Sequence, residues 1–546
     1  MKTKRLLKSL LSITFAAFMT LPVVACKGGG GGNTPAKEGV LNVMVVAKGY
    51  GSAFADDLAT AFTEANSGVT VNVKSTTTAN LPETQLGMGK KNTVDLYFTI
   101  SNNVFATQVV ADGYKWADLS DVYESDAVGY KETGKIKDII NPYYYEAMTY
   151  TDGKQYAVPW TSGSVGILYN KTLWDKTNAA LKAAGKTELT LPVTTNEMFE
   201  LFDRIKTSDV KSASNGAYAI SYSGQDSYMQ YLFNDLWKQY EGTAAVEAFY
   251  EGKNENGVYT ADIYNTKGRL DAYEVVRNVI LQANGYVNSK DISTDFKIAQ
   301  VDFLRGTAFF SCNGDWLERE AASQFNPGEA DAAFIRTPVL STVVDNPKIS
   351  ADFTGDSAAK DAKLRAIVNF IDENYINGDK TVNAEDATTL GVGETTLKFL
   401  YESRMSKHVL PDFMAVVPEY AVNLELAKDF LKFMYSKDGQ EILMLATYGA
   451  MSPLSVDVTQ FDYYENARPF SKSKLDIAAK QITSGKANNY PIQYLGGIKD
   501  DPRDSMASAF GSATPSHTAA EYQKREYDWY RDNWNDIMSG SGVSNS

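Results

Sequence analysis

The residues that most often carry out enzymatic chemistry are scarce in this 546-residue chain. Only two histidines, His408 and His517, and two cysteines, Cys26 and Cys312, are present. A Ser-His-Asp triad would have to use one of these histidines, and neither has a G-x-S-x-G nucleophile motif to pair with. No Cys/His cluster has the spacing of metal ligands. The sequence therefore predicts neither a catalytic nucleophile nor a metal site.

Aromatic and hydroxyl residues set among glycines point instead to contact with a ligand. "AKGYGSAF" places Tyr50 between two glycines, just after an apolar run, and "VPWTSGSVG" places Trp160 and Ser162 beside Gly163 and Gly166. Glycines keep the backbone bare, so a ligand or an opposing segment can approach closely. The simpler alternatives are a plain turn at Tyr50 and a twisted core strand after Trp160.

Alternating strands and helices must position these residues. The apolar run Val40–Val46 predicts a buried strand, a helix begins near Ser52, and the valines that alternate over Val69–Val73 predict a second strand. This order is a βαβ unit and implies a parallel sheet. The same alternation continues along the chain, so the predicted fold class is α/β. A body of this length is too long for one core, and we expect two or more lobes.

The N-terminus carries a basic start followed by an uncharged run, Ser9–Ala25, that is short for a membrane span and contains Pro22. Residues 1–25 are therefore predicted to be a signal peptide. "VVAC" resembles the lipobox of bacterial lipoproteins, in which the cysteine, here Cys26, becomes lipidated. Residues 26–39 follow as a Gly-rich tether. The alternative is an ordinary signal peptide with a chance cysteine.

The net charge of −14 argues against binding of nucleic acid through general electrostatics.

Several stretches together resemble the extracellular solute-binding proteins of ABC transporters, in the family that includes maltose- and other sugar-binding lipoproteins. In order, they are the lipobox, "DGKQYAVPWTSGSVGILYNKTLWDK", "LPVTTNEMFELFDRIK", "FLRGTAFFSCNGDW", "RTPVL" and "NLELAKDFLKFMYSKDGQEILMLATYGAMSP". The resemblance implies a periplasmic-binding-protein-like fold of type II, similar to maltose-binding protein, with two α/β lobes and a ligand cleft between them. Residues 340–400 depart from the compact family pattern and are interpreted as a polar, irregular insertion with one helical piece near Lys363–Ile371.

The family fold also implies where the chain divides. We expect an N-terminal lobe from residues 40–158 and 301–416, the latter including the insertion. We expect a C-terminal lobe from residues 159–300 and 417–546. The crossings between lobes should lie near Val158, near Val301 and over Val416–Tyr420.

Sugars have apolar CH faces and many hydroxyls, so a sugar site needs aromatic platforms and short polar side chains. The resemblance aligns "SGQDSYMQY" with a carboxylate and a tyrosine that contact sugar, which gives Asp226 and Tyr228. It places a stacking tryptophan in "CNGDWLERE", which gives Asp315 and Trp316, the latter the foremost ligand candidate. The alternatives are a capping aspartate, a packed tyrosine and a core tryptophan.

Three further candidates border the expected cleft. "TISNNVF" places Asn102 and Asn103 after a third predicted strand, where the resembled family has polar ligand contacts, although either residue could instead cap a helix. "ATYGAMSP" places Tyr448 in a loop that borders the cleft in relatives.

The function implied by the resemblance is capture of an extracellular carbohydrate, specifically an oligosaccharide, and its delivery to an ABC permease. The protein would be a monomeric, Gram-positive-type surface lipoprotein, extracytoplasmic and anchored through Cys26, without cofactor or catalytic residues. The alternatives are a surface glycan-active enzyme with two carboxylates across the scissile bond, a binding protein for a non-sugar solute, and a surface sensor or adhesin.

Overall fold

The structure is a computed structural model that describes residues 38–100, 113, 115–150, 152–378, 380–409, 413–482 and 505–540. The predicted signal peptide, Cys26, most of the tether, Asn102 and Asn103 lie outside these residues. Among the described residues, no helix is both long enough and apolar enough to cross a membrane.

The described strands follow one another along the chain as β1 (Gly39–Val46), β2 (Val69–Thr76), β3 (Leu96–Thr99), β4 (Val158–Pro159), β5 (Val165–Asn170), β6 (Tyr218–Ser221), β7 (Ala308–Gly314), β8 (Ala332–Phe334) and β9 (Met414–Val416).

The described α-helices up to the insertion are α1 (Ala53–Ala65), α2 (Leu81–Leu86), α3 (Ser120–Tyr123), α4 (Ile136–Ile139), α5 (Pro142–Met148), α6 (Lys171–Ala183), α7 (Thr195–Ile205), α8 (Ser208–Ala213), α9 (Met229–Glu241), α10 (Thr243–Tyr250), α11 (Lys267–Ile280), α12 (Phe296–Leu304) and α13 (Leu317–Ala321). The later ones are α14 (Ser357–Ile371), α15 (Ala384–Thr389), α16 (Glu394–Met405), α17 (Leu424–Met434), α18 (Lys437–Thr447), α19 (Asp462–Asn466), α20 (Pro469–Ala479), α21 (Met506–Phe510) and α22 (Ala519–Gly540).

The first sheet has the strand order β2-β1-β3-β9-β4. β1 runs parallel to β2 and β3, as the predicted βαβ unit requires, whereas β9 is antiparallel to both β3 and β4. Helix α1 buries Phe54, Leu58 and Phe62, and the Phe62 ring lies 5.2 Å from that of Phe430 on α17. This sheet and the helices packed on it form the first lobe.

The second sheet has the order β6-β7-β5-β8. β6 is parallel to β7, and β5 is antiparallel to its two neighbours β7 and β8. A capping box starts α7, since the Thr194 side chain accepts from the Glu197 N–H while the Glu197 side chain accepts from the Thr194 N–H. This sheet and its helices form the second lobe.

The segments that build each lobe differ from those expected from the sequence. Strands β7 and β8, within the range 301–416, pair in the second sheet, and of that range only β9 pairs in the first. Helices α17 and α18, within the range 417–546, pack on α1 of the first lobe. The chain passes from the first sheet to the second between β4 and β5. The return falls between α16 and β9 rather than near Val301, and the last crossing follows α18 rather than β9.

The expected irregular insertion is a folded helical unit. Helices α14 and α16 pack around a core of their own that includes Leu364, Ile367, Leu397 and Leu400, each fully buried. Asp356 caps α14 by accepting a hydrogen bond from the Ala359 N–H. The apolar residues recur at helical spacing, and this pattern outweighs the polar composition of the segment.

Helix α22 packs on the second lobe through an aromatic face. Tyr530 of α22 stacks on Tyr264 with ring centroids 3.5 Å apart, and Trp534 belongs to the same buried cluster.

Candidate ligand-binding site

The carboxyl ends of strands from both sheets meet where the chain crosses between the lobes. Tyr50 follows β1, Trp160 follows β4, and Asp315 and Trp316 follow β7. The Tyr50 ring centroid lies 5.3 Å from that of Trp160 and 6.1 Å from that of Trp316. In open α/β sheets this edge, outside the carboxyl ends of the strands, is where ligands bind. We call these residues, with Phe413, Tyr228 and Tyr231, the junction cluster.

A buried hydrogen bond links the two lobes at the centre of the junction cluster. The Tyr50 hydroxyl donates to Asp315 Oδ1, and both side chains are buried. Lys474 Nζ also donates to the Asp315 carbonyl at 3.2 Å. Burial raises the pKa of Asp315, while the Lys474 ammonium acts in the opposite direction. The bond joins the first-lobe Tyr50 to the second-lobe Asp315, so separation of the lobes would break it.

Trp316 contacts aromatic rings of both lobes and is 5% exposed. Its ring lies 6.0 Å from that of Phe413, 6.3 Å from that of Tyr231 and 6.5 Å from that of Tyr228. A Cβ at Gly314 would lie 2.3 Å from the indole, so only glycine allows the ring to fold back onto its own strand. The local Gly-Asp-Trp sequence thus fixes the position of the indole.

Trp160 packs into the first-lobe core at the edge of the junction cluster. Its ring stacks on Phe54 at 4.6 Å, its Nε1 donates to the Thr99 carbonyl at 3.2 Å, and the residue is 1% exposed. Only the side turned towards Tyr50 and Phe413 borders the junction. Trp160 therefore supports the rings of the junction rather than presenting an open face.

The main chain of Ser162 is tied to its surroundings on both sides. The Ser162 N–H donates to the Met451 carbonyl at 3.3 Å, and its own carbonyl accepts from the Tyr144 hydroxyl at 2.5 Å. Its hydroxyl lies 3.2 Å from that of Ser164, and the Ser164 carbonyl accepts from the Asp315 N–H at 2.9 Å. Ser162 thus lies close to the junction cluster and keeps a partly exposed side chain.

Asp226 and Tyr228 have different surroundings. Asp226 Oδ2 accepts from Ser223 Oγ at 2.6 Å and from the Phe296 N–H at 2.9 Å, which makes this carboxylate a local cap. Tyr228 is half-buried in the junction cluster, with its ring 5.2 Å from that of Tyr231. The structure therefore brings Tyr228, but not the Asp226 carboxylate, into the ring cluster.

Tyr448 lies away from the junction rings. It ends α18 in the left-handed conformation, with φ of 59°, and its carbonyl accepts from Ser471 Oγ at 2.7 Å. A left-handed residue commonly closes a helix, although glycine is the usual choice there.

Several residues of the junction escaped the sequence analysis. Tyr231 follows Tyr228 at a helical spacing of three, a signal that could have revealed it. Phe413 and Lys474 lie outside the quoted motifs, and only the fold brings them to Trp316 and Asp315. Glu318 stands two residues after Trp316, but nothing in the local sequence distinguishes it from the neighbouring Glu320.

Glu318 adds a buried carboxylate next to the junction cluster that has an ion pair but no hydrogen bond. It is 1% exposed, and Arg468 Nη2 lies 3.1 Å from Glu318 Oε1. The geometry of this ion pair does not form a hydrogen bond, and neither Glu318 carboxylate oxygen accepts one from any described residue. Burial raises the pKa of Glu318 to about 7, although Arg468 and Lys474 oppose the shift.

The junction offers aromatic faces, hydroxyls and buried carboxylates, which suit a polyhydroxylated ligand. In the described part of the chain, no group of three or more His, Cys, Asp or Glu residues is arranged to hold a metal ion. The rings contact one another directly, so a ligand would have to replace contacts between the lobes.

The sequence matches the bacterial extracellular solute-binding protein family over residues 48–372, which is more than half of the chain. The chain therefore belongs to this family. No curated protein matches the chain.

Three solved structures are similar in fold. The GacH receptor of Streptomyces glaucescens, solved without ligand and with acarbose, shares 15% identity over 92% of this chain and 99% of its own, with a TM-score of 0.52. An ABC substrate-binding protein of Listeria monocytogenes in complex with cycloalternan shares 14% identity over 93% of this chain and 100% of its own, with a TM-score of 0.55. The substrate-binding protein RafE in complex with raffinose shares 13% identity over 90% of this chain and 99% of its own, with a TM-score of 0.55.

The family membership and the mixed α/β solute-binding fold predicted from the sequence are thereby confirmed.

Proposed function

We propose that this protein captures an extracellular carbohydrate, specifically an oligosaccharide, at the junction cluster and delivers it to an ABC permease. The observation that carries the proposal is the set of rings supplied by both lobes around the Tyr50–Asp315 hydrogen bond. Aromatic faces stack on the CH surfaces of sugars, and buried acids and hydroxyls pair with sugar hydroxyls. The similar structures hold acarbose, cycloalternan and raffinose, which supports the same ligand class here.

Lobe opening would give the sugar access to the site. It would separate Tyr50 and Phe413 of the first lobe from Trp316, Tyr228 and Tyr231 of the second. The exposed ring faces would then take up a sugar, and closure around it would mark the loaded state for the permease. The differential affinity of the sugar for the closed form supplies the free energy of closure.

In this proposal, the mature chain is a monomer that a lipid on Cys26 holds at the membrane surface. A Cys26→Ser variant tests the anchor in cells that export the protein. We expect the wild type in the membrane fraction and the variant in the medium. Equal membrane retention of both proteins would contradict the lipid anchor.

Isothermal titration calorimetry tests the ligand class. The mature chain is titrated with malto-oligosaccharides, raffinose, cycloalternan and acarbose, and in parallel with peptides and polyamines. We expect saturable binding of at least one oligosaccharide. Binding of peptides or polyamines alone would refute the sugar assignment. Prolonged incubation with the bound glycan, followed by chromatography, separates binding from hydrolysis, because released product would favour an enzyme.

A further inference from the structure

A cavity lies apart from the junction cluster. It has a volume of about 690 Å³, which is within the range of small-molecule sites. Its walls come from the residues before α7, the end of β8, the insertion, the last crossing and α20. None of the predicted ligand residues lines it.

Helix α20 separates this cavity from the junction. Lys474 faces the junction, where it bonds to the Asp315 carbonyl. Ser473, Asp476 and Ile477 line the cavity, and their spacing of three and four residues places them on another face of the same helix. The two sites are therefore neighbours with separate linings.

Most of the ionised side chains that line the cavity already have partners. Arg404 binds Asp372 through two hydrogen bonds, of 2.8 and 2.7 Å. Lys480 Nζ donates to the Ile376 carbonyl at 2.5 Å. Two aspartates are also bonded: Asp476 accepts from the Tyr464 hydroxyl at 2.5 Å, and Asp457 accepts from the Thr459 N–H and hydroxyl.

Arg336 is the exception. Its side chain lines the cavity and makes no hydrogen bond or ion pair with any residue that the structure describes. Burial lowers the pKa of Arg336 to about 10, with the Arg404 guanidinium acting in the same direction and Asp372 and Asp476 opposing the shift. A partly desolvated guanidinium without an acceptor is costly, and its planar fork fits a carboxylate with two parallel hydrogen bonds.

The rest of the lining defines the body of the ligand. Leu191, Phe334 and Ile376 give the cavity apolar walls, whereas Asp372, Asp457 and Asp476 supply negative charge. Three aspartates would repel a doubly charged phosphate more strongly than a singly charged group. The lining thus favours one negative charge joined to an apolar body.

We propose that this cavity is a second binding site, which takes a small organic carboxylate whose carboxylate group pairs with Arg336. Its apolar body packs against Leu191, Phe334 and Ile376. The site is independent of sugar capture, and the insertion contributes one of its walls.

Saturation-transfer NMR on the full mature chain tests the proposal, with hexanoate as the probe and 1-hexanol and inorganic phosphate as matched ligands. We expect hexanoate to bind at least tenfold more tightly than either. Arg336→Met keeps most of the apolar stem and should weaken hexanoate binding at least tenfold, while Arg336→Lys should weaken it less. Trp316→Ala, in the junction cluster, should leave it unchanged. Equal binding of hexanol or phosphate, or unchanged affinity in Arg336→Met, would overturn the proposal.

A second measurement on the wild-type chain does not depend on the folding of a variant. Phenylglyoxal modifies accessible arginines, and peptide mass spectrometry reports the rate at Arg336 separately from that at other arginines. We expect hexanoate to slow the modification of Arg336 and hexanol to leave it unchanged. Equal rates with and without hexanoate would also overturn the site.

Discussion

Two clusters of aromatic rings in this molecule each enclose a buried charge, but they treat that charge differently. In the second lobe, Arg269 is 5% exposed and is surrounded by five rings whose centroids lie 5.1 to 5.9 Å away. Glu526 of α22 accepts from Arg269 at 2.7 Å and from Tyr273 at 2.8 Å. This Arg269 cluster is closed within one lobe and ties the C-terminal helix to the body.

The junction cluster has comparable rings, but its key contacts cross between lobes. Asp315 is bonded to Tyr50 of the other lobe, and the nearby Glu318 has no hydrogen bond to either oxygen from the described residues. The comparison indicates that a buried charge paired with a carboxylate of its own lobe serves stability. At the junction, a ligand can replace the contacts between the lobes, and the nearby Glu318 carboxylate has no hydrogen bond. This arrangement suits ligand capture.

The largest effect is expected in the Arg269 cluster. Glu526→Ala leaves Arg269 buried without its carboxylate partner, which should lower the free energy of unfolding by about 3–5 kcal/mol. Lys524→Ala on the same helix is the matched control, because its ion pair with Asp528 is exposed. It should cost less than about 0.5 kcal/mol. Urea unfolding measures both, and equal losses would contradict the structural role of Glu526.

A pH effect is expected at the junction. Burial raises the pKa of Glu318 from 4.5 to about 7, so this group favours the folded state below pH 4.5. That contribution is lost as pH rises through 7. As pH rises from 4.5 to 7, a shift of this size in Glu318 lowers the free energy of unfolding by about 3 kcal/mol.

Glu318→Gln tests this effect by urea unfolding between pH 4.5 and 7.5. The glutamine has no charge to bury, so the stability of the variant should fall less than that of the wild type as pH rises. Asp291, whose pKa is also raised to about 7 by burial, remains in both proteins and cancels in the difference. Parallel curves of stability against pH for the two proteins would refute a buried Glu318 carboxylate that lacks hydrogen bonds.

A smaller effect on stability is expected from the hydrogen bond between lobes. Tyr50→Phe removes the hydroxyl that donates to Asp315 and should cost about 1–2 kcal/mol. Small-angle X-ray scattering should also give the variant a larger radius of gyration, because the lobes lose a contact that holds them together. Tyr273→Phe in the Arg269 cluster is the control, with a similar loss of stability and no change in radius. If both variants kept the wild-type radius, the Tyr50–Asp315 bond would not hold the lobes closed.

Local signals in the sequence predicted much of the fold. The apolar run Val40–Val46 marked one strand, and the alternating valines over Val69–Val73 marked a second, since each signal depends on residues a few positions apart. The lobe membership of β7 was predicted wrongly. All seven of its residues are buried, so its pattern carries no exposed face, and nothing local indicates which sheet it joins.

The candidate site was predictable in part for the same reason. Tyr50, Trp160 and Trp316 stand at turns or crossings that the sequence marks with glycine or proline, and the structure brings them together. The direction of a side chain depends on distant packing, so the sequence could not show that Trp160 stacks on Phe54. Lys474 reaches Asp315 across 159 residues, a distance that no local motif spans.

The central claim is that the junction cluster binds the sugar, and calorimetry on two tryptophan variants tests it most directly. Trp316→Ala is compared with Trp534→Ala on α22, because the two tryptophans are similarly buried, at 5% and 9% exposed. With the oligosaccharide that binds the wild type most tightly, we expect an affinity loss of at least about tenfold for Trp316→Ala. Trp534→Ala should bind like the wild type. Equal affinities for the two variants would contradict a sugar site at the junction.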